Sequence, residues 1–169
     1  MSIIRQAAFT GSQRLLKGAL HCHTTRSDGK VSPEEVIRLH KQNGYDFMAL
    51  TDHRNYNFRN FAPETDMLIL PGMEMDSNFP DRPVHCHHIV CLGPVDGNGF
   101  AQDDAFEPVY ITNPGQTQAM LDDIHACGNM TMYCHPQWSG TPASEFSMLQ
   151  GNFAMEIYNA GCAIEFRLG

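Results

Sequence analysis

Two histidines separated by one residue stand at the end of a short apolar run, in the stretch GALHCHTTRSDGK at residues 18–30. Imidazoles are ligands for Zn, Mn and Fe, and alternate residues of a strand point to one face, so His21 and His23 can reach the same ion. The motif is weak evidence by itself, because a strand can simply end in histidine. Its weight depends on which residues end the neighbouring strands.

Imidazoles and carboxylates recur at the ends of other predicted strands. FMALTDH ends in Asp52 and His53, MLILPGMEM leads to Glu74, MTMYCHP ends in His135, and FAMEIYN carries Glu156. A carboxylate that bridges two ions is a common way to hold them close together. The recurrence at strand after strand predicts a metal centre.

The segment VHCHHIVCLG leaves one ligand undecided. Alternation places His85 and His87 on one face of a strand and His88 on the other. Spacing alone does not choose between His87 and His88. We expect the remaining histidines, His40 and His125, to lie on helix faces without a role in the site.

The elements that must position these residues alternate between strands and helices, which predicts an α/β fold with mainly parallel strands. In VSPEEVIRLHKQNG, Ser32 is the expected N-cap, Pro33 the first helical residue and Gly44 the stop. A second helix is expected over GQTQAMLDDIHACG. In such folds the chemistry collects at the carboxyl ends of the strands.

Composition limits the classes of function. The 169 residues, 42% of them hydrophobic, fit one domain spanning residues 1–169. The formal charge of -8 argues against binding long nucleic acids. Without an apolar run of about 18 residues or a signal-peptide core, we expect a cytoplasmic protein with no membrane partner. The six scattered cysteines include no CxxC pair, which favours buried, reduced thiols.

Five stretches in order resemble the polymerase and histidinol phosphatase (PHP) family of metal-dependent phosphoesterases. They are the region LHCHTTRSDGKVSPEEVIRLHKQNGYDFMALTDH, then ILPGMEMDS, HHIVCLG, CHP and EIYN, from about residue 18 to about residue 160. The resemblance implies a distorted seven-stranded (β/α) barrel. It also implies two or three divalent ions (Zn, Mn or Fe) at the barrel's carboxyl-terminal mouth.

The same resemblance implies a role for each candidate ligand. His21 and His23 would bind a first metal, and Glu74 would bridge it to a second. His88 and His135 would complete the second metal. Asp28 and His53 would bind a third, with Asp52 orienting a ligand or loop.

The family's last motif, an Asp-x-His, is expected downstream of EIYNAGCAIEFRLG, where the sequence stops at Gly169. Either this sequence is truncated before the motif or the barrel is incomplete at its C-terminus. In both cases the first and third metals would each lack one ligand. Two alternatives stay open. One is a metal-binding domain without catalysis, and the other is a metal-dependent amidohydrolase, which needs a carboxylated lysine that no predicted central strand supplies.

The implied reaction is hydrolysis of a phosphoester by a metal-activated water. The substrate would be a phosphomonoester, a nucleotide or a short oligonucleotide. Arg26, just after His23, can contact phosphate through its guanidinium fork, and Arg54 is a weaker candidate. The leaving group's proton would come from His53 or a metal-bound water. Substrate choice is expected in the irregular segments 54–66, 76–84 and 94–114.

Overall fold

The computed structural model describes residues 14–81, 84–94 and 99–168. Within these ranges the chain forms a mixed α/β fold of eight strands, four helices and one 3-10 turn at Pro63–Thr65. The strands are β1 Gly18–Ala19, β2 Phe47–Ala49, β3 Leu68–Leu70, β4 Gly72–Asn78, β5 Cys86–Leu92, β6 Val109–Tyr110, β7 Met130–Tyr133 and β8 Ala154–Met155. The helices are α1 Pro33–Gln42, α2 Pro114–Ala126, α3 Ala143–Phe146 and α4 Ala160–Leu168.

The strands form two sheets that meet at one residue. The first sheet has the order β1-β2-β3 and the second β6-β4-β5-β7-β8. Strands β3 and β4 are separated by Pro71 alone, so one stretch of chain pairs with β2 before the proline and with β5 after it. The closed seven-stranded barrel implied by the resemblance remains a prediction.

The expectation of mainly parallel strands is wrong for β5, which runs antiparallel to both β4 and β7. Only residues 79–85 connect β4 to β5, and a parallel pairing needs a crossover of about a dozen residues or more. The reversal has a consequence for the site. Strands β4 and β7 run parallel to each other, so the first residues of β5 lie beside the carboxyl ends of both. His88 of β5 pairs with Asp76 of β4.

Helix α1 confirms the predicted capping. The Ser32 hydroxyl accepts a hydrogen bond from the backbone N–H of Glu35, and Pro33 is the first helical residue. The helix ends at Gln42, and Gly44 adopts a φ of 75°, which glycine tolerates best. Its apolar face packs Ile37 into the core formed with β2.

Helix α2 spans most of the second predicted helix and packs Leu121 and Ile124 against the core that includes β4, β5 and β7. Strand β6 was not predicted from the sequence. It pairs with the end of β4 and brings the segment before α2 to the sheet.

None of the six cysteines, all of which lie in the described ranges, forms a disulfide bond. Cys86, Cys91 and Cys134 are buried, whereas the other three are partly exposed. None of the helices in the described ranges is both long and apolar enough to cross a membrane.

Candidate metal centre

The carboxylate of Glu74 lies at the centre of a cluster of histidines. Glu74 is on β4 and is fully buried. Five imidazoles come within 3.2 Å of its oxygens. The contacts to Oε1 are His21 Nε2 at 3.2 Å, His88 Nδ1 at 3.2 Å and His135 Nε2 at 3.1 Å, and those to Oε2 are His23 Nε2 at 2.9 Å and His53 Nδ1 at 3.1 Å.

Sheet topology explains how residues so far apart in sequence meet. His21, His53 and His135 each follow the end of a parallel strand, β1, β2 and β7 respectively. His88 reaches the same edge from the start of the antiparallel β5. These side chains, with Asp28, line a cavity of about 300 Å³.

The cluster controls the protonation of its own members. Burial alone would raise the pKa of Glu74, but contacts with His135, His21, His23 and His88 hold that pKa well below its usual value. Burial alone would lower the pKa of His88, but contacts with Cys86 and Glu74 raise it to about 10. The buried carboxylate is therefore ionised, as a metal ligand must be.

The donor set fits divalent metal ions better than hydrogen bonds among the side chains. Nε2 of His21 and Nε2 of His23 are 3.2 Å apart, and the Nδ1 atoms of the two rings face the carboxylates of Glu156 and Asp28. Hydrogens on both Nδ1 atoms leave two lone pairs that face each other at the Nε2 atoms. Among the described residues, Glu74 Oε2 and His53 Nδ1 are both buried and have no hydrogen-bond partner, although they are 3.1 Å apart. Lone pairs that face each other in this way can share a cation.

In the part of the chain that the structure describes, three groups of ligand atoms lie within 4.8 Å of one another, and each group includes Glu74. They are Glu74 with His88 and His135, Glu74 with His23 and His53, and Glu74 with His21 and Cys134. The first group matches the predicted second metal. The other two divide His21 and His23 between separate groups, whereas the predicted first metal uses both.

Asp28 lies at the exposed edge of the cluster. Its Oδ1 is 2.7 Å from His23 Nδ1, and its Oδ2 is 3.7 Å from His53 Nε2. Each contact uses the ring nitrogen that does not face Glu74. In this arrangement Asp28 orients the His23 ring through a hydrogen bond and makes only a longer contact with His53. Its role as a ligand of a third metal remains a prediction.

Asp52 holds the loop that follows His23. Its fully buried carboxylate accepts hydrogen bonds from the Thr24 backbone N–H at 2.7 Å, the Thr24 hydroxyl at 2.9 Å and the Ser27 hydroxyl at 2.9 Å. The loop then turns back, so that Asp28 contacts His23.

Arg26 is engaged away from the cavity. Its guanidinium contacts Asn55 Oδ1 and Asp103 Oδ1, each at 2.5 Å, and lies 5.2 Å from the Phe61 ring centroid. Arg26 does not line the central cavity. A phosphate contact from Arg26 would require it to leave these partners.

The other histidines lie outside the cluster. His87 Nδ1 is 2.8 Å from the Tyr133 hydroxyl, and burial lowers the pKa of His87 to about 4. His85 is 2.9 Å from Asp81 and 2.9 Å from Glu145. His40 contacts the Val36 carbonyl at 2.8 Å, and His125 contacts the Thr131 hydroxyl at 2.9 Å. The structure thus brings His88, and not His87, to Glu74.

Glu156 lies beside the cluster but outside the predicted ligand set. Its Oε1 lies 3.2 Å from His21 Nδ1, and its Oε2 accepts a hydrogen bond from the His135 backbone N–H at 3.0 Å. His135 has a φ of 22°, which is unusual for a residue other than glycine. Asn159 donates to both carboxylate oxygens of Glu156. Glu156 therefore orients the ring of one predicted ligand, His21, and holds the backbone of another, His135.

Cys134 is the second residue that was missed. The sequence suggested only a buried thiol, yet its sulfur lies near His21 and Glu74. Burial raises the pKa of the Cys134 thiol to about 11. The sequence offered one signal that Cys134 lies at the site, namely its position directly before the predicted ligand His135.

Comparison with known proteins gives a family and a fold. The model of the PHP domain family matches residues 19–127. Over 70 residues the chain is 33% identical to a 5'-3' exoribonuclease of Haemophilus influenzae, a match covering 39% of this chain and 26% of the relative. Over 79 residues it is 37% identical to the DNA polymerase/3'-5' exonuclease PolX of Bacillus subtilis, covering 36% of this chain and 14% of the relative. The chain therefore spans about a quarter and about a seventh of the length of these curated relatives.

Two solved structures share the fold at low sequence identity. A provisionally assigned metal-dependent phosphoesterase from Bifidobacterium adolescentis has a TM-score of 0.58 and 12% identity, covering 86% of this chain and 78% of the other. An amidohydrolase from Chromobacterium violaceum, with bound sulfate and no metal, has a TM-score of 0.59 and 16% identity, covering 90% and 82%.

Proposed function

The chain belongs to the PHP domain family, and on that premise we propose that it is a hydrolase that cleaves phosphoesters with divalent metal ions held around Glu74. One observation carries the proposal. Five imidazoles surround the buried carboxylate of Glu74. Nε2 of His21 and Nε2 of His23 are 3.2 Å apart, and Glu74 Oε2 and His53 Nδ1 face each other without a hydrogen bond. This donor set suits Zn, Mn or Fe.

In the proposed centre, Glu74, His88 and His135 would hold one ion, and His21 and His23, together with Glu74, would hold another. Asp28 and His53 are the proposed ligands of a third. When bound, such ions lower the pKa of water and offset the negative charge that develops on phosphate oxygens.

The remaining side chains would serve the reaction by orientation and proton transfer. Asp28 keeps a hydrogen on His23 Nδ1, which leaves Nε2 free to face the cavity, and Glu156 does the same for His21. His53 Nε2 is the proposed source of the proton for the departing oxygen, as an alternative to its role as a metal ligand; burial lowers the pKa of His53, and the Asp28 carboxylate, 3.7 Å away, opposes that shift. Arg26 is the proposed phosphate contact. To reach the substrate, its guanidinium must leave Asn55 and Asp103.

A phosphoester is favoured over an amide for two reasons. The curated relatives are named as nucleases, which act on phosphoester bonds. The chain's lysines, Lys17, Lys30 and Lys41, all lie outside the strands, so none can supply a carboxylated lysine from a central strand. The charge of -8 favours a small substrate, namely a phosphomonoester, a nucleotide or a short oligonucleotide. A cytoplasmic location remains a prediction from the sequence.

Phosphate or nucleotide release tests the proposal. Chain stripped with a chelator would be assayed with phosphomonoesters, nucleotides, short oligonucleotides and amides, before and after addition of Zn or Mn. We expect phosphoester cleavage that depends on added metal and is lost in Glu74→Gln. Glu64→Gln, on an exposed glutamate paired with Arg38, should behave as wild type. Cleavage of amides alone, or no metal-dependent cleavage at all, would refute the proposal.

A further inference from the structure

A second cavity, of about 360 Å³, adjoins the metal centre and shares His88 and Trp138 with it. We call it the side pocket. Its other principal lining residues are Arg54, Asp76, Asn78, Phe79 and Tyr110. A substrate whose phosphate lies at Glu74 can therefore extend past His88 and Trp138 into this space.

The side pocket is built from the segments in which the sequence predicts substrate choice. Arg54 comes from residues 54–66, Phe79 from residues 76–84, and Tyr110 from residues 94–114. Strand β6 explains the meeting of the last two, because Tyr110 pairs with Asn78 at the end of β4. Three irregular segments that are separate in sequence thus share one cavity next to the reacting centre.

The pocket presents three aromatic rings, of which Phe79 and Trp138 are held in place by contacts with other rings. Phe79 stacks on His85 with ring centroids 3.9 Å apart and an interplanar angle of 9°. Trp138 packs edge-on against His88 at 5.3 Å and against His135 at 5.1 Å. Tyr110 is 72% exposed. Such rings bind flat, unsaturated groups by stacking, at little cost in side-chain ordering.

The two charged residues that line the side pocket, Arg54 and Asp76, pair with each other, and further carboxylates lie nearby. Arg54 pairs with Asp76, whose side chain is 5% exposed, and Asn78 donates to the other oxygen of the same carboxylate. The backbone of Arg54 has a φ of 53° and donates its N–H to the Glu74 carbonyl at 2.8 Å, so its position is tied to the metal centre. Asp81 and Glu145 both contact His85 behind Phe79. This surrounding charge disfavours a second phosphate and leaves polar groups for the edge of a neutral ring.

Resting on the proposed function, we propose that the side pocket binds an uncharged heteroaromatic ring, of the kind a nucleobase presents, on the part of the substrate attached to the scissile phosphate. Ring-bearing phosphoesters would then be preferred to those that carry sugar or alkyl groups alone. The polar edge of the ring would lie toward Arg54 and Asn78, and its faces toward Tyr110 and Trp138.

Binding of phosphate-free probes to the zinc-loaded chain tests the pocket separately from hydrolysis. Calorimetry would compare adenosine, ribose and orthophosphate. We expect adenosine to bind at least tenfold more tightly than ribose and to change the fluorescence of Trp138, which is the single tryptophan of the chain. Tyr110→Ala should weaken adenosine binding about fivefold or more and leave orthophosphate affinity and zinc content unchanged.

Tyr158→Ala is the matched control, because Tyr158 is also 72% exposed and does not line the side pocket. It should bind adenosine as wild type does. Equal affinities for adenosine and ribose, no effect of Tyr110→Ala, or an equal effect of Tyr158→Ala would each overturn the inference.

The two proposals fail in distinguishable ways. If metal-dependent cleavage of phosphoesters is absent while adenosine binding still depends on Tyr110, the proposed reaction is wrong and the pocket assignment stands. If phosphoesters with and without rings are cleaved equally well and adenosine does not bind, the pocket assignment is wrong and the proposed reaction stands.

Discussion

Glu74 divides its contacts between two sets of histidines. Its Oε1 faces His21, His88 and His135, whereas its Oε2 faces His23 and His53. A carboxylate with both oxygens engaged in this way can bridge two ions, and its removal should affect both.

We therefore predict that Glu74→Ala loses more than one metal per chain, whereas His135→Ala loses mainly one. The reason is that His135 contacts Oε1 alone, so its loss leaves the ligands near Oε2 in place. Elemental analysis of both purified variants measures the difference. Equal losses of a single metal would contradict a bridging role.

The neighbouring histidines of β5 provide an internal comparison. We predict that His88→Ala lowers metal content and that His87→Ala does not, because their side chains point to opposite faces of the strand and His87 contacts Tyr133 instead. Elemental analysis and thermal unfolding should be measured together, since His87 is buried and its removal should lower stability. A larger loss of metal from His87→Ala would show that the strand register is wrong.

Glu156 is predicted to act through the ligands it orients. Glu156→Gln should weaken metal binding by about 10- to 100-fold, the usual effect of removing a group that orients a metal-bound histidine. Nitrogen NMR of the His21 ring should also show a changed balance between its two tautomers. Glu145→Gln is the control, because Glu145 contacts His85 outside the cluster. Wild-type affinity and tautomer balance in Glu156→Gln would reject the orienting role.

The loop after β1 is the element that positions His23, and it depends on a close backbone approach at Gly29. A Cβ at this position would lie 2.6 Å from the backbone of His23 and Thr24. The loop must therefore shift if any side chain is added there. Its other supports are the hydrogen bonds from Thr24 and Ser27 to Asp52.

We predict that Gly29→Ala lowers the free energy of unfolding by about 1–3 kcal/mol and reduces metal affinity as well. Ser32→Ala is the comparison, because it removes only the cap of α1 and should cost about 1 kcal/mol without changing metal content. Denaturant unfolding and elemental analysis separate the two effects. Unchanged metal affinity in Gly29→Ala would mean that the loop does not set the position of His23.

At the scale of the whole molecule, the cluster couples stability to pH and to metal. The pKa of His88 is raised from 6.5 to about 10 by contacts that outweigh its burial, so its protonated form stabilises the metal-free fold. That contribution is complete below about pH 6.5 and is lost as the pH rises toward 10. Zinc binds neutral imidazoles, so its effect has the opposite sign.

We predict that the metal-free chain has a lower melting temperature at pH 9 than at pH 6. Zinc should raise the melting temperature at both pH values and raise it more at pH 9. At a free zinc concentration 100 times its Kd, binding adds about 2.7 kcal/mol of stability. Calorimetric melting with and without chelator measures this, and His88→Ala should reduce the slope with pH. A metal-free chain that is more stable at pH 9 than at pH 6 would contradict a raised pKa for His88.

The sequence by itself determined the features that depend on short-range chemistry. Capping residues fixed helix α1 at Ser32 and Pro33, because a helix start is decided within one turn. The types of the ligand residues, their positions at strand ends and their resemblance to one family predicted a metal centre that includes Glu74. The family match over residues 19–127 confirms the family.

Only the tertiary structure decided which distant residues meet. The register of β5 against β4 places His88, and not His87, on the face of Glu74, and the end of β8 brings Glu156 to His21 across 135 residues. Arg26 is bound to Asp103, 77 residues away, instead of lining the cavity. These contacts are set by strand pairing and register between remote segments, which spacing within any one segment does not encode.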